Sequence, residues 1–215
     1  AYLDVNREPY ELDPELFSGR LPDFANTQSA RVVGGLGTIA RVVADTEEIY
    51  RERLPIGAAF ERIERLYRPF HEALAGLLEE TRKRFGMAVL IDCHSMPSGA
   101  AAERPAGRPD IVIGDRFGTS CDPMIVRFLR SELSALGYDV ALNRPYAGGY
   151  ITEHFGQPRR SVHALQIEIG RSLYMEEQRI AKSGNFASVQ QSLVNALARL
   201  IDWLPGRSSQ RLAAE

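Results

Sequence analysis

Residues 86–95 read GMAVLIDCHS and contain the clearest strand pattern in the chain. The apolar run from Met87 to Ile91 has no polar alternation, which is typical of a strand covered on both faces. It ends in Asp92-Cys93-His94-Ser95, where polar side chains replace apolar ones. The pattern therefore predicts a buried strand that leads into a segment able to carry chemistry.

Helix and strand patterns alternate around this strand. Apolar residues at helical spacing between Pro55 and Gly86 predict a long amphipathic helix, which Pro69 should kink or split. The first fifty residues predict loop with short helical pieces. This alternation favours an α/β fold, a three-layer sandwich with a mostly parallel or mixed central sheet and helices on both faces. Further strands are predicted at 110–114, 139–142 and 162–169, helices at 125–136 and 186–204, and a loop at 143–158.

Composition limits the possible partners. The 215 residues are 44% hydrophobic and 25% charged, with a formal net charge of -2, as in an ordinary globular protein. With this balance the chain has no net positive charge to attract nucleic acid or anionic lipid. No apolar run approaches the length of a membrane span. Two cysteines form no disulfide framework and no CxxC pair, which fits a reducing cytoplasm. We predict a cytoplasmic protein that binds a small molecule, not nucleic acid or membrane.

His94 is the first candidate functional residue. An imidazole at the end of a strand suits a divalent metal or a proton-transfer role. Asp92 faces the same side of the strand and can orient the ring, whereas Cys93 faces the opposite side. The alternative interpretation is a histidine that only hydrogen-bonds a backbone carbonyl.

Glu168 is the second candidate, because it shares one face of an otherwise apolar strand with Gln166. Ionised carboxylates are seldom buried without a metal, an arginine or a catalytic reason. Glu168 could act as a general base on a metal-bound water, or form a structural ion pair with Arg171.

Two Asn-Arg pairs are further candidates. Asn6 and Arg7 place a guanidinium beside an amide, which suits bidentate binding of an acidic substrate's carboxylate. The second pair opens the Gly- and Tyr-rich segment 143–150, which either lines a pocket or forms a rigid surface loop. Its candidate side chains are Arg144, Tyr146 and Tyr150.

Two other motifs favour structural roles. His71 lies on the predicted long helix and is typical of a hydrogen-bonded histidine at the edge of a core. The segment Gly34–Gly37 follows no strand and lacks the Lys-Ser/Thr ending of a phosphate-binding loop, so it predicts a turn.

Five segments, taken in order, closely resemble the N-formylglutamate amidohydrolase family, and the resemblance covers nearly the whole chain. That family is similar in fold to zinc carboxypeptidases and aspartoacylases, so the resemblance implies a zinc-carboxypeptidase-like (phosphorylase/hydrolase-like) fold. The segments are 4–9 (DVNREP), 92–97 (DCHSMP), 110–115 (DIVIGD), 143–150 (NRPYAGGY) and 166–171 (QIEIGR).

The resemblance also implies an activity: metal-dependent hydrolysis of an N-acyl acidic amino acid, above all N-formyl-L-glutamate, giving L-glutamate and formate. Histidine breakdown is the usual setting. His94 matches a zinc ligand, and Glu168 matches the carboxylate that activates the zinc-bound water. Asn6 and Arg7 match the pair that grips the substrate carboxylate. Additional substrate-binding candidates are Arg144, Tyr146, Tyr150 and Arg171.

One departure concerns the metal. The family's first two metal ligands lie upstream of the Asp-x-Asn-Arg segment, and one histidine cannot hold a catalytic zinc, which needs about three protein ligands. Tyr2 to Val5 also read as the end of a strand. We therefore expect a single domain over residues 1–215 that lacks its N-terminal strand or strands, with the remaining Zn²⁺ ligands upstream of Ala1. The alternatives are a zinc carboxypeptidase, another N-acyl amino acid deacylase, or a non-catalytic carboxylate-binding domain without metal.

Overall fold

The structure is a computed structural model that describes residues 2–43, 47–98 and 109–204. Contacts within it divide the chain into two compact units, residues 1–77 and residues 78–215. The single-domain organisation stays a prediction. Among the described helices, none has the length and apolar character needed to cross a membrane.

The first unit is mostly loop, as predicted for the first fifty residues. Its short elements are β1 (Phe17–Ser18), α1 (Ala30–Val33) and β2 (Leu54–Pro55), and β1 pairs with β2 in parallel. A small apolar core packs between these loops and stabilises them. Its side chains are almost completely buried. The core consists of Leu12, Leu16, Phe17, Ile39 and Ala59.

The predicted strand end at Tyr2 to Val5 is wrong. The Asp4 carboxylate accepts the backbone N–H of Asn6 at 2.9 Å, which closes a turn. The Asp4 N–H donates to the Thr38 carbonyl at 2.8 Å, outside any strand ladder. Aspartate favours such local turns because its short side chain competes for backbone donors.

The predicted long helix between Pro55 and Gly86 is confirmed. It consists of α2 (Ile56–Arg62), a π-helical turn (Ile63–Tyr67) and α3 (Arg68–Phe85). Pro69 lies two residues after the end of this turn. Proline has no N–H to donate to the preceding turn, and the wider π-helical turn takes up that defect. The interruption expected at Pro69 is therefore a π-helical turn that leaves the helical run unbroken.

The second unit contains a four-stranded sheet in the order β3-β6-β4-β5. The pairs β3–β6 and β4–β5 are parallel, and β4–β6 is antiparallel, so the predicted mixed sheet is confirmed. Strand β3 is longer than expected, because it continues through the polar segment that follows Ile91. The strands are β3 (Ala88–Met96), β4 (Ile111–Gly114), β5 (Val140–Leu142) and β6 (Val162–Gly170).

Helices α4 (Pro123–Ala135) and α6 (Phe186–Trp203) cover one face of this sheet, close to the predicted bounds. The Asp122 carboxylate caps the start of α4, and Gly137 adopts a φ of 93° just beyond its end, as its sequence position predicts. The resulting core contains Ile111, Ile113, Ile125, Leu129, Leu133, Leu165, Ile167, Ala196 and Leu200.

The predicted loop over residues 143–158 is wrong in part, because it contains helix α5 (Tyr150–Phe155). Ile151 and Phe155 are buried, since α5 packs on β6 and β3. A six-residue helix is too short to give a periodic pattern, and tertiary packing stabilises it instead. A short antiparallel hairpin, β7 (Met175–Glu176) and β8 (Ala181–Lys182), was also not predicted.

Candidate active site

The pairing of β3 with β6 brings polar side chains together on one face of the sheet. The parallel register places Asp92 beside Gln166 and His94 beside Glu168. Because side chains alternate along a strand, these four share the face opposite the α4–α6 core. His94 and Glu168, singled out separately in the sequence, are therefore neighbours on adjacent strands.

His94 is oriented by Asp92. The imidazole Nε2 lies 2.9 Å from the Asp92 carboxylate oxygen Oδ2, and both side chains are at least partly buried. This contact agrees with the predicted role of Asp92. Carboxylates commonly hold metal-binding histidines in this way.

Glu168 is a buried carboxylate with one fixed hydrogen bond. Its side chain is only 7% exposed, and Oε1 accepts a hydrogen bond from the Gln166 side-chain amide at 2.6 Å. Burial raises the pKa of Glu168, and nearby His94 and the Gln166 amide partly offset that rise. A carboxyl group with a raised pKa is a better proton acceptor than an ordinary surface glutamate.

Arg171 follows β6 and does not take the structural role considered for it. Its Nε donates to the Ser95 hydroxyl at 3.3 Å. It also lowers the pKa of Glu168, but more weakly than His94 does. The side chain that donates a hydrogen bond to Glu168 is Gln166, not Arg171.

The loop before α5 is held rigidly to β4. Asn143 has a φ of 59°, and its Oδ1 accepts the backbone N–H groups of Asp115 and Phe117 at 3.0 and 3.2 Å. Its amide Nδ2 donates to the Asp115 carboxylate at 2.7 Å. The Arg116 N–H donates to the Ala147 carbonyl at 2.8 Å. These bonds support the rigid-loop interpretation and also fix where the loop presents its side chains.

Of the loop's three candidates, Tyr146 is electrostatically coupled to Glu168. Burial raises the pKa of Tyr146, the charge of Glu168 raises it further, and the charge of Arg171 lowers it. Tyr150 instead stacks on His154 within α5, with ring centroids 5.1 Å apart. Arg144 is exposed.

Gly114 at the end of β4 sets the distance between strand and loop. A Cβ atom there would lie 2.6 Å from the backbone of Ala147 and Gly148, closer than real Cβ contacts come. Gly114→Ala should therefore displace the loop and lower stability by about 1–3 kcal/mol. Thermal unfolding measures this loss.

The matched control for that change is Gly76→Ala on α3, where a Cβ atom meets nothing within 4 Å. This control should stabilise the helix slightly, because alanine is the better helix former. If Gly114→Ala behaves like Gly76→Ala, the loop is not held by close contact with β4.

Asn6 and Arg7 lie in the first unit, in the turn closed by Asp4. The Arg7 guanidinium contacts the Leu36 carbonyl through Nε at 3.2 Å, the Asn6 carbonyl through Nη1 at 3.0 Å and Asp4 through Nη2 at 3.3 Å. The first two contacts are hydrogen bonds, and the third is an ion pair. The side chain is 22% exposed, and burial lowers its pKa. Leu36 belongs to Gly34–Gly37, which is a turn, as predicted.

Two aromatic residues of the helix hold this turn in place. The Tyr67 hydroxyl donates to the Arg7 carbonyl at 2.6 Å, and His71 Nε2 hydrogen-bonds the Val5 carbonyl at 2.9 Å. Their rings stack with centroids 4.2 Å apart. The structural interpretation of His71 is confirmed. Tyr67 was not singled out, although its spacing from His71 places both on one helix face. The approach of Arg7 to Glu168 stays a prediction.

Within residues 2–43, 47–98 and 109–204, no group of three or more His, Cys, Asp or Glu side chains is arranged to hold a metal ion. His94 with its Asp92 partner has the chemistry of one zinc ligand, but a catalytic zinc needs about three. The described residues do not form a zinc centre by themselves. Cys93 and Cys121 are free thiols.

Comparisons with known proteins identify the family of the chain. A family model described as N-formylglutamate amidohydrolase matches residues 1–175. The N-formylglutamate deformylase of Pseudomonas putida is 36% identical over 144 residues, which are 66% of this chain and 54% of that protein. The protein of the same name from Pseudomonas aeruginosa PAO1 is 34% identical over 165 residues, or 74% and 62% of the two chains. The chain thus spans 54% to 62% of the length of these relatives.

Solved structures of other proteins are also similar to this chain. The crystal structure of N-formylglutamate amidohydrolase from Ralstonia eutropha JMP134 superposes with a TM-score of 0.90 at 34% identity, covering 97% of this chain and 75% of that one. The gene product Atu2144 of Agrobacterium tumefaciens has a TM-score of 0.62 at 18% identity, covering 94% and 67%, and shares the fold. The chain belongs to the N-formylglutamate amidohydrolase family.

Proposed function

We propose that the protein hydrolyses the amide bond of N-formyl-L-glutamate and releases formate and L-glutamate. The observation that carries the proposal is the buried Glu168 carboxylate, placed beside the Asp92–His94 pair by the β3–β6 register. Two relatives named N-formylglutamate deformylase support this choice of substrate.

In the proposed reaction Glu168 acts first as a general base and then as a general acid. Its carboxylate takes a proton from a water molecule as the water oxygen bonds to the formyl carbon. The carboxyl group then gives that proton to the amide nitrogen while the C–N bond breaks. The remaining hydroxyl proton of the formic acid passes to the released amine, so formate and the ammonium form of glutamate leave and Glu168 returns to its starting carboxylate. A positioned acid–base group of this kind contributes about 10²–10⁴-fold to the rate.

Substrate recognition rests on groups that pair with carboxylates. Asn6 and Arg7 bind one carboxylate of the substrate, because a guanidinium presents paired N–H donors that match its two oxygens. Tyr146 and Arg171 contact the substrate near the scissile bond, a role supported by the effect of the Glu168 and Arg171 charges on the pKa of Tyr146. Arg144 and Tyr150 remain candidate pocket residues. A small acidic substrate also fits the predicted cytoplasmic setting.

We further propose that the protein depends on one divalent metal, Zn²⁺, with His94 as one ligand and the others outside the described residues. A zinc ion bound there would polarise the formyl oxygen and acidify a water molecule. The pairing of His94 with Asp92 supports this role, because carboxylates orient histidine ligands in metal sites.

The metal proposal predicts a loss of bound zinc in His94→Ala. Elemental analysis of the protein expressed from its complete gene should give about one zinc per chain, and much less in the variant. Asp92→Asn should weaken zinc affinity about 10–100-fold. The control is His154→Ala, which changes an exposed histidine and should keep the metal. Full zinc occupancy in His94→Ala would remove His94 from the ligand set.

The substrate is tested with a panel of N-formyl and N-acetyl amino acids and a peptide with a free C-terminus. The proposal predicts the highest kcat/KM for N-formyl-L-glutamate, and a large loss when a carboxylate is replaced by a carboxamide. A higher kcat/KM for the N-acetyl compounds or for the peptide would favour a different deacylase or a carboxypeptidase. Glutamate binding without hydrolysis of any compound would favour a non-catalytic binding domain.

A further inference from the structure

Gln166 joins two parts of the second unit through its side-chain amide. It lies near the middle of β6 and is only 5% exposed. Its Nε2 donates to Glu168 Oε1 at 2.6 Å, and its Oε1 accepts the backbone N–H of Gly149 at 2.8 Å. The reaction described above uses Glu168 but gives Gln166 no role.

The orientation of this amide is fixed by its neighbours. A backbone N–H can only donate, so the amide oxygen of Gln166 must face Gly149. The NH₂ group is then directed at Glu168. The carboxylate therefore receives a donor whose direction is set by the backbone at Gly149.

A glutamate at this position needs such a partner. The last torsion of a glutamate side chain is broad, so the carboxylate plane is not fixed by rotamer preference alone. A buried hydrogen bond restricts that rotation and holds Oε1 in one direction. A general base must be placed in this way, because a misplacement of about 1 Å can cost a hundredfold in rate.

The other end of the amide reaches the segment that carries Tyr146. Gly149 closes the loop that begins at Asn143 and is the N-cap residue of α5. Its N–H bond to Gln166 ties this loop to the middle of β6. The same amide therefore sets both the direction of the Glu168 carboxylate and the position of the loop.

We propose that Gln166 is a positioning residue that couples the Glu168 carboxylate to the loop at residues 143–150. The catalytic part of this inference rests on the proposed function, whereas the coupling itself is a property of the fold. Gln166 acts on the reaction only through Glu168 and through the loop.

Two substitutions test the two hydrogen bonds of the Gln166 amide separately. Gln166→Met removes both hydrogen bonds. Gln166→Glu keeps an acceptor for the Gly149 N–H but has no amide donor for Glu168. The matched control is Gln191→Met on α6, an exposed glutamine whose side-chain amide donates to the Asn195 side chain at 2.9 Å.

The first measurement is kinetic. We expect both variants at Gln166 to lower kcat about 10–100-fold, with a clear rise in KM only for Gln166→Met, and no change in the control. In an enzyme that already carries Glu168→Gln, Gln166→Met should lower the residual kcat little further, because the group it positions is gone. A purely structural role would lower kcat equally in both backgrounds.

The second measurement is hydrogen exchange at the Gly149 amide. Exchange should be at least about tenfold faster in Gln166→Met than in the wild type, and unchanged in Gln166→Glu, because only the first loses the acceptor. This measurement needs no turnover, so it tests the coupling even if the wild type releases no formate and the proposed function fails. If the wild type is active and both variants keep its kcat, the positioning role is wrong and the proposed function stands. Unchanged exchange in Gln166→Met would overturn the coupling.

Discussion

Glu168→Gln is expected to lower kcat by about 10²–10⁴-fold while the protein stays folded. The substitution keeps the size of the side chain but removes the group that takes the proton from water. Release of formate from N-formyl-L-glutamate, measured at saturating substrate, gives kcat directly. Zinc content and the thermal unfolding midpoint should stay close to those of the wild type, because the change affects proton transfer and leaves the β3–β6 pairing intact.

Glu80→Gln on the exposed side of α3 is the control for this substitution. It makes the same chemical change at an exposed helix position outside the β3–β6 face and should leave kcat unchanged. If Glu168→Gln keeps wild-type turnover, Glu168 is not the base. If turnover falls only together with the folded fraction, the buried carboxylate has a structural role.

Arg7→Met is expected to lower kcat/KM for N-formyl-L-glutamate by at least about 30-fold. Truncating one partner of a buried, hydrogen-bonded charge pair costs about 2–5 kcal/mol, and each 1.4 kcal/mol is tenfold. Arg7→Lys keeps the charge but lacks the planar fork, so it should lose less. Arg20→Met, at an exposed arginine, is the control.

Arg7 also stabilises its own turn, so a loss of activity could come from weaker substrate binding or from a disturbed fold. Substrate analogues distinguish these two causes. The wild type should prefer N-formyl-L-glutamate over analogues in which one carboxylate is a carboxamide. In Arg7→Met that preference should largely disappear for the carboxylate that Arg7 binds. An equal loss of kcat/KM for the acid and both carboxamides would mean that Arg7 supports the fold and does not bind substrate.

The main features of the second unit could be predicted because they depend on strand periodicity. The apolar run before Asp92 and the strand that carries Glu168 both show clear patterns, and alternation assigns His94 and Glu168 each to a definite face. Their parallel pairing brings the two faces together. The orienting role of Asp92 follows from the same alternation, since it lies two residues before His94.

Other features depend on contacts that no local pattern encodes. The bridge from Gln166 to Gly149 joins residues 17 positions apart, and it requires α5, which is too short to be recognised from periodicity. A proline within a helix pattern predicts a disturbance, because its backbone has no N–H to donate. It does not predict that this disturbance takes the form of a π-helical turn before Pro69. The contacts of Arg7 with Leu36 and Tyr67 arise where loops and a helix meet within the first unit.

The most direct test of the proposed site is a crystal structure of the Glu168→Gln variant soaked with N-formyl-L-glutamate. The proposal predicts the formyl group over the β3–β6 face, within reach of residue 168 directly or through one water molecule, and one substrate carboxylate on Arg7. Substrate bound on another surface, with the Asp92, His94 and Gln166 face empty, would contradict the assignment of this face as the active site.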